Sequence, residues 1–385
     1  MSKIEIENFD LTLSLIDQEL EKLEKLKAPR NYLGMSQIGE ECWRKLFYSF
    51  RGVKNREILV SGIRAIEDGF LQEDVMAERL RLLPFIELHT VDPKNSKEQI
   101  GFQMLLGHFR GHCDGMIKGV REAPLTWHVW ENKTVNEKKY KKLDDLRKDK
   151  GEKVALEEWD EIYFAQAQIY MYCSHTTRHF LTVETPGGRN YLSVRTEYQK
   201  TKAENIIDKA KSIIFDNWSK PARISDKPEF YKCKWCDYSN ICHDGDFPLV
   251  NCKTCRYSEP INDGKRKCLS KDEIILESNY YSPCKDHVYN PALLNAKLIE
   301  QQRGGAIYQT ESDFKFANFP ITEMPALKDN LDAIYCSEDL FKKIKNVNNF
   351  KKEIIAVQQA FNGEIIETTP EKAWKKKIDK RLKDV

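Results

Sequence analysis

Hydrophobic residues recur at intervals of three and four along several parts of the chain, which is the spacing of a helix with one buried face. Between these parts lie shorter runs rich in branched and aromatic residues and bounded by turn residues, a pattern typical of strands. Helices are therefore predicted over 5–27, 35–52, 60–82, 155–173 and 199–218, and strands within 83–91, 99–106, 107–135, 178–185 and 189–198. This order predicts an α/β domain built around a mixed central β-sheet flanked by helices.

Three residues inside the predicted helices stand out from the pattern. The helix over 35–52 would hold Cys42 in its interior. Gly69 in the next helix costs about 1 kcal/mol relative to alanine, which indicates a close approach of another backbone. Gln166 interrupts an aromatic stripe in the helix over 155–173, and a buried amide needs hydrogen-bond partners.

The stretch over 107–135 predicts a β-hairpin whose turn contains residues 122–124. Strand alternation puts Glu131 and Lys133 on one face, and pairing would bring Asp114 of the first strand beside Glu131. Two carboxylates of this kind can hold Mg²⁺ or Mn²⁺, and the lysine can orient or deprotonate an attacking water and stabilise phosphate charge. Taken alone, the same residues also fit a solvated cross-strand ion pair.

Composition narrows the classes of protein. The chain has 385 residues, of which 41% are hydrophobic, enough for one large domain and one or two smaller units. The 62 Lys and Arg nearly balance the 60 Asp and Glu, so nucleic-acid binding would depend on local patches. No glycine-rich phosphate loop is present, which disfavours nucleotide-binding classes. The charged N-terminus and the lack of an apolar run of about 20 residues predict a cytoplasmic protein without a membrane span.

Two stretches are rich in basic residues. Residues 137–153 hold eight Lys or Arg and five acids, and the tail over 371–385 holds seven Lys or Arg and three acids. Such runs are usually solvated surface. The first run directly follows the strand of Lys133, so a loop that touches phosphates is the alternative there.

The eleven cysteines suggest metal sites, since thiols stay reduced in the cytosol. Cys233, Cys236 and Cys242 form a C-x2-C-x5-C pattern that needs a fourth ligand. His243 would complete a zinc knuckle, whereas Cys42 would complete an iron–sulfur cluster.

A second set of cysteines lies in a polar, turn-rich segment and fits a structural zinc site, with His287 as a reserve ligand. This set consists of Cys252, Cys255, Cys268 and Cys284. Cys113, Cys173 and Cys336 are left over and are predicted to be core residues.

The assembled motifs resemble the PD-(D/E)XK nuclease superfamily, and most of all its RecB-like branch with an iron–sulfur cluster. That branch includes CRISPR-associated and AddB-type exonucleases and phage-encoded relatives. The motifs run in order through residues 35–245: Cys42 in ECWRKLFY, Gly69-x3-Glu73, Gly111-x2-Asp114, Glu131-Asn132-Lys133, Gln166-x3-Tyr170 and the cysteines of 233–242. The chain departs from the family in having no proline before the first acid and a glutamate at position 73, where many relatives have histidine.

The resemblance implies a restriction-endonuclease-like core and assigns roles to individual residues. Asp114, Glu131 and the backbone carbonyl of Asn132 would bind the catalytic metal, with Glu73 as a further ligand. Lys133 would be the catalytic lysine. The resemblance places Gln166 and Tyr170 beside the site, contacting substrate or ordering the water, and assigns a [4Fe–4S] cluster to Cys42, Cys233, Cys236 and Cys242.

The predicted organisation is a nuclease domain over 1–245, a zinc-binding module over 246–290, and an α+β module with a basic tail over 291–385. The predicted function is a Mg²⁺- or Mn²⁺-dependent exonuclease acting on DNA ends or single strands through metal-activated water. A recombination or replication protein is the expected partner, and phage origin would place the protein in the host cytoplasm. A non-catalytic DNA-binding or scaffolding protein and an iron–sulfur redox protein are the alternatives.

Overall fold

The computed structural model describes residues 10–55, 57–302, 304–326 and 331–350, so the basic tail lies outside the described residues. The α-helices are α1 (Leu11–Leu26), α2 (Trp43–Phe50), α3 (Val60–Arg81), α4 (Glu137–Lys150), α5 (Glu152–Trp159), α6 (Glu161–Ser174), α7 (Lys200–Phe215), α8 (Tyr231–Lys234) and α9 (Ser337–Asp339). The strands are β1 (Leu33–Gly34), β2 (Glu87–His89), β3 (Gly101–Met104), β4 (Phe109–His112), β5 (Gly115–Lys118), β6 (His128–Thr134), β7 (Arg178–Glu184), β8 (Tyr191–Glu197), β9 (Ser258–Pro260), β10 (Arg266–Cys268), β11 (Glu273–Ile275), β12 (Lys297–Gln302), β13 (Gly305–Gln309), β14 (Lys315–Asn318) and β15 (Ala333–Tyr335). No helix in the described part of the chain has the length and apolar character needed to cross a membrane.

The chain divides into two compact units. The first unit contains the chain up to Ile224 together with Glu259–Glu277, and the second contains Ser225–Ser258 and the chain from Ser278 onward. The domain boundaries predicted after residues 245 and 290 stay predictions.

The first unit is built on a five-stranded sheet with the order β2-β5-β6-β7-β8. β6 and β7 run parallel, while the other neighbouring pairs are antiparallel. This arrangement confirms the predicted α/β architecture with a mixed sheet, and it makes β6 the central strand.

The two faces of β6 are covered by different helices. On one face, Val129 belongs to a large core that includes Ile169 of α6. On the other face, Trp130 packs with Met76 of α3 and with Phe180. Because side chains alternate along a strand, Glu131 and Lys133 lie on the α6 side of the sheet.

The first unit also contains a smaller sheet with the order β1-β4-β3. The segment Glu259–Glu277 belongs to the same unit and contributes the antiparallel pair β10 and β11. It is held to the β4 region by hydrogen bonds from His108 Nε2 to the carbonyl of Ile261, at 2.9 Å, and from Arg110 Nη2 to the carbonyl of Asp263, at 3.2 Å.

The second unit has its own sheet, with the order β12-β13-β14-β15. Its core is aromatic and includes Phe247, Tyr289, Tyr308, Phe316 and Phe350. β13 and β14 lie at the centre of this sheet.

The prediction that Cys42 lies inside a helix is wrong. Residues 35–37 form a short 3₁₀ turn, and α2 begins after Cys42, which is the N-cap residue with extended backbone angles. Gly39 explains the interruption, because a Cβ at this position would collide with the backbone of Glu161 and Ile162. The helix is broken where the chain must pass close to α6.

Two further predictions of local structure need correction. The helix predicted over 155–173 is two helices, because Asp160 adopts extended angles and accepts hydrogen bonds from the backbone N–H groups of Ile162 and Tyr163. The charged run over 137–153, for which a phosphate-touching loop was the alternative to solvated surface, folds mostly as α4 with Asn136 as its N-cap. Strong helix-forming residues such as lysine and leucine account for this helix.

The interpretation of Gly69 is also wrong. A Cβ placed on Gly69 would meet no atom within 4 Å, so no backbone approaches it closely.

The predicted amphipathic helix near the N-terminus is present as α1, but none of its residues is buried. Arg64 of α3 donates a hydrogen bond to Asp17 of α1 at 3.0 Å.

Candidate active site

The pairing of β5 with β6 determines the position of the two predicted carboxylates. Gly115 pairs with Trp130, so Asp114, one residue before β5, comes beside Glu131. The backbone N–H of Asn132 donates a hydrogen bond of 2.7 Å to Asp114 Oδ2. Glycine is required at position 115, since a Cβ there would lie 2.8 Å from the carbonyl oxygen of His89. The close packing of β2 on β5 therefore fixes where Asp114 points.

Lys133 connects the two carboxylates. Its Nζ lies 2.6 Å from Glu131 Oε2 and 3.6 Å from Asp114 Oδ2. The Lys133 side chain is 20% exposed to solvent, whereas the Glu131 side chain is 2% exposed. The predicted grouping of Asp114, Glu131 and Lys133 on one face of the sheet is therefore present, and the lysine is the more exposed member of its pair with Glu131.

Gln166 of α6 contacts the Glu131 carboxylate, and Tyr170 of the same helix contacts Gln166. Gln166 Nε2 donates to Glu131 Oε2 at 3.0 Å and to the hydroxyl oxygen of Tyr170 at 3.3 Å. Gln166 is 5% exposed and Tyr170 is 1% exposed. The amide predicted to need partners has them, and side chains this deeply buried orient Glu131 more readily than they contact a substrate.

Glu73 belongs to the same electrostatic environment. It is half-buried on α3 and accepts a hydrogen bond of 3.2 Å from Gln99 Nε2. Burial raises the pKa of its carboxyl group, and the negative charge of Asp114 raises it further. Its role as a further metal ligand stays a prediction.

The charges of the site oppose one another. Burial, followed by repulsion from Asp114, raises the pKa of Glu131, although Lys133 partly compensates. Burial alone would lower the pKa of Lys133, but the carboxylates of Asp114 and Glu131 outweigh it and raise that pKa. Lys133 is therefore a stable ammonium group, and Glu131 is a carboxyl group whose ionised form is costly.

The opposite face of β6 holds a second buried polar network. Asn132 Nδ2 donates to Glu184 Oε1 at 2.8 Å, and the Thr182 hydroxyl donates to Asn132 Oδ1 at 2.7 Å. Arg79 Nη1 lies 3.5 Å from Glu184 Oε2. Both ends of the Asn132 amide are thus occupied, which holds β6 in place between Glu131 and Lys133.

Two neighbours of the site escaped the sequence-based prediction. Tyr163 belongs to the aromatic stripe of the helix predicted over 155–173, yet it is half-buried and its ring centre lies 5.8 Å from Lys133 Nζ. Its spacing of three from Gln166 was the available signal. Gln99, the partner of Glu73, precedes β3, and no motif marks it.

No three His, Cys, Asp or Glu side chains of the described residues form a group that could hold a metal ion. This applies to the predicted catalytic metal, the iron–sulfur cluster and the zinc site alike. The ammonium group of Lys133 neutralises the carboxylates of Asp114 and Glu131. The ligand roles of these residues stay predictions.

The predicted iron–sulfur ligands can be located individually. Cys233 and Cys242 are buried and Cys236 is half-buried, all within the second unit. Cys42 is half-buried and belongs to the first unit.

The predicted zinc ligands do not share one unit. Cys268 ends β10 in the first unit, while Cys252, Cys255 and Cys284 belong to the second. The reserve ligand His287 is buried, with Nε2 3.1 Å from the Thr254 hydroxyl. Burial lowers its pKa to about 3, so its ring is neutral.

No protein-family model matches the chain, and no curated protein matches it. Among solved structures, it is similar to a protein named SSO0001, at 18% identity and a TM-score of 0.35, covering 60% of this chain and 95% of the other. It is also similar to an alkaline exonuclease, LHK-Exo, from Laribacter hongkongensis, at 13% identity and a TM-score of 0.34, covering 51% of this chain and 90% of the other. The same exonuclease in complex with dAMP gives 14% identity and a TM-score of 0.31, covering 48% and 86%. Scores this low do not define a shared fold, so the chemistry rests on the chain's own geometry.

Proposed function

We propose that the protein is a divalent-metal-dependent DNA nuclease that hydrolyses phosphodiester bonds at the α6 face of β6. One observation carries the proposal: two acidic side chains and a lysine ammonium group converge there, with Nζ 2.6 Å and 3.6 Å from the two carboxylates. Carboxylates that hold a cation beside a lysine are suited to phosphoryl chemistry, in which negative charge develops on the phosphate oxygens.

The donor set fits a hard divalent cation. Oε1 of Glu131 is buried and has no hydrogen-bond partner among the described residues, and an orphaned carboxylate oxygen is costly unless a cation meets it. Asp114 and Glu131 would hold the ion, with the Asn132 carbonyl and Glu73 as further candidates. When bound, Mg²⁺ or Mn²⁺ would supply activation of water and neutralisation of phosphate charge.

The carboxylates of Asp114 and Glu131 raise the pKa of Lys133 and so favour its ammonium form. An ammonium group at this place can stabilise charge that develops on a phosphate oxygen. We assign Lys133 this electrostatic role. Asp114 is held by the Asn132 N–H, and Glu131 by Gln166, so the site is oriented before substrate arrives.

Purified Glu131→Ala and Lys133→Ala variants test the proposal. Each is expected to lose Mg²⁺- or Mn²⁺-dependent release of nucleotides from labelled DNA, by at least about a hundredfold, while circular dichroism shows the wild-type fold. Glu122→Ala, in the exposed turn between β5 and β6, is the matched control and should keep full activity. Wild-type activity in both site variants would refute the assignment.

Preference for DNA ends or single strands is proposed from the family resemblance. Incubation with 5′- and 3′-labelled single-stranded, double-stranded and circular DNA in Mn²⁺ tests it. Degradation of linear strands with sparing of circular DNA is the expected result, and cutting of circles would show endonuclease action instead.

A non-catalytic DNA-binding protein is the second candidate. It is favoured by the position of Lys133, whose ammonium group already neutralises the two carboxylates. Binding of labelled DNA without release of nucleotides in Mg²⁺ or Mn²⁺ would establish this candidate over the first.

The cysteine sites are proposed as structural cofactor sites on the basis of spacing and resemblance. Metal analysis of anaerobically purified protein should give about four iron and one zinc per chain. Absence of iron from such a preparation would remove the cluster from the proposal without affecting the β6 site.

A further inference from the structure

The first turns of α4 lie beside the candidate active site. The ring centre of Tyr163 is 5.8 Å from Lys133 Nζ and 5.4 Å from Lys139 Nζ. Lys139 also pairs with Asp160 at 3.0 Å, just before α6. One tyrosine therefore contacts both the lysine of the site and the first turn of α4.

The two halves of α4 differ in charge. Residues 137–143 carry four lysines and one glutamate, while residues 144–150 carry three basic and three acidic side chains. In the second half, Lys148 pairs with Asp144 at 2.5 Å and Lys150 pairs with Glu158. The excess of positive charge thus lies in the half that is nearer the site.

Three lysines of the first half face solvent. Lys138 and Lys141 are exposed and have no ion-pair partner in the described part of the chain, and Lys142 donates only to the carbonyl of Trp159, at 3.2 Å. Together with Leu146 they lie along one face of α4, whose later positions are Asp145 and Asp149. Its lysine end suits a chain of phosphates, and its aspartate end repels one.

We propose that Lys138, Lys141 and Lys142 bind the sugar–phosphate backbone of the DNA strand that enters the candidate active site. The inference rests on the proposed function for its substrate, and it adds the surface along which that substrate lies. Lysines without ion pairs release the counterions of DNA without first breaking a protein contact, so their contribution to binding is strong and independent of sequence.

A double variant and a matched control on the same helix test this proposal. Lys138→Ala/Lys141→Ala removes two lysines without ion pairs, and Lys148→Ala/Lys150→Ala removes two lysines with ion pairs. Both change the net charge equally. Affinity for a labelled oligothymidine is measured by anisotropy in EDTA over a series of salt concentrations, so that no cleavage occurs. Lys138→Arg/Lys141→Arg restores the charge at the tested positions.

The first pair is expected to weaken binding about tenfold at low salt and to reduce the slope of log K against log salt by about 1.4, which is 0.7 for each lost phosphate contact on a single strand. The control pair and the arginine pair should retain the wild-type slope. Equal losses in the two alanine pairs would overturn the proposal, as would no binding by the wild-type protein. Cleavage in Mn²⁺ is scored separately: a wild type that binds through α4 and releases no nucleotide would refute the nuclease alone.

Discussion

Gln166 and Gln168 stand two residues apart on α6, and both are buried. Gln166 donates to Glu131 in the candidate site, whereas Gln168 donates to the carbonyl of Glu197 at 3.0 Å and accepts from the backbone N–H of Gln199. The two side chains therefore offer the same chemistry and the same burial with different partners. Their comparison separates orientation of the site from general stability.

Gln166→Ala is expected to lower kcat for DNA hydrolysis by about tenfold to a hundredfold, because Glu131 loses the donor that orients it. Both substitutions should lower the free energy of unfolding by about 1 to 3 kcal/mol. Gln168→Ala should leave kcat at the wild-type value. Steady-state kinetics and urea denaturation measure the two effects. Equal kcat losses would mean that Gln166 acts only through stability.

Ionisation of the buried Glu131 carboxyl group lowers the free energy of unfolding. Its pKa is raised by burial and by Asp114 above the ordinary value of 4.5. The native state therefore keeps the proton to higher pH than the unfolded chain does, and stability falls as pH rises above 4.5 through the folded pKa. A cation bound to the ionised group would offset this cost.

Glu131→Gln keeps the shape of the side chain and removes the ionisation. In alkaline buffer the variant should unfold at a Tm equal to or above that of the wild type, and it should release no nucleotides. Added Mn²⁺ should raise the Tm of the wild type only, since a ligand that binds the native state stabilises it. A variant with a much lower Tm and an unchanged Mn²⁺ response would contradict both parts.

At the scale of elements, Asp160 connects α4, α5 and α6, because it directly follows α5, caps α6 and pairs with a lysine of α4. Its Oδ1 accepts hydrogen bonds from the N–H groups of Ile162 and Tyr163 at the start of α6, and its Oδ2 pairs with Lys139 of α4. Asp160→Ala removes both functions and should cost about 1 to 2 kcal/mol. Asp160→Asn keeps the cap and loses only an exposed ion pair, so its cost should stay below about 1 kcal/mol.

Urea denaturation of the two variants tests this assignment. The alanine variant should be clearly less stable than the asparagine variant. Identical losses would show that the ion pair, and not the cap, is what Asp160 contributes.

The helix break at Asp160 could not be predicted from the sequence. The aromatic spacing of three and four continues through Asp160, so periodicity alone predicts one helix, and the cap becomes visible only when the extended backbone angles are known. Gly39 is similar, because its need for a small residue arises from contact with Glu161, far away in sequence. In contrast, the neighbourhood of Asp114 and Glu131 follows from strand alternation and antiparallel pairing, which are local rules.

Contacts between side chains of different elements cannot be predicted from strand alternation and pairing alone. That Gln99 meets Glu73 depends on how α3 and the residues before β3 come together. The charged run after β6 was ambiguous for a further reason: some of its ion pairs form within α4, such as Lys148 with Asp144, and others reach α5, such as Lys150 with Glu158. Sequence shows the charges and the structure shows which of them are neutralised.

At the scale of the whole molecule, buried neutral histidines link stability to pH. Burial lowers the pKa of His179 to about 3, helped by Lys133 and His128, and both ring nitrogens of His179 lack hydrogen bonds within the described residues. Burial also lowers the pKa of His108 to about 4 and that of His287 to about 3. The first two histidines lie in the first unit and His287 lies in the second.

These groups predict a protein that is sensitive to acid. Each folded pKa lies below the ordinary value of 6.5, so the unfolded chain binds more protons as pH falls below 6.5. Stability is complete above that value and is lost toward the folded pKa, with a slope of about 1.4 kcal/mol per pH unit for each histidine that is charged only when unfolded. His179→Leu should reduce this slope by the share of one group, measured by urea denaturation at a series of pH values between 6.5 and about 4. The wild-type protein measured over the same pH series is the reference. A His179→Leu variant that keeps the full acid dependence would show that this ring is already protonated in the native protein.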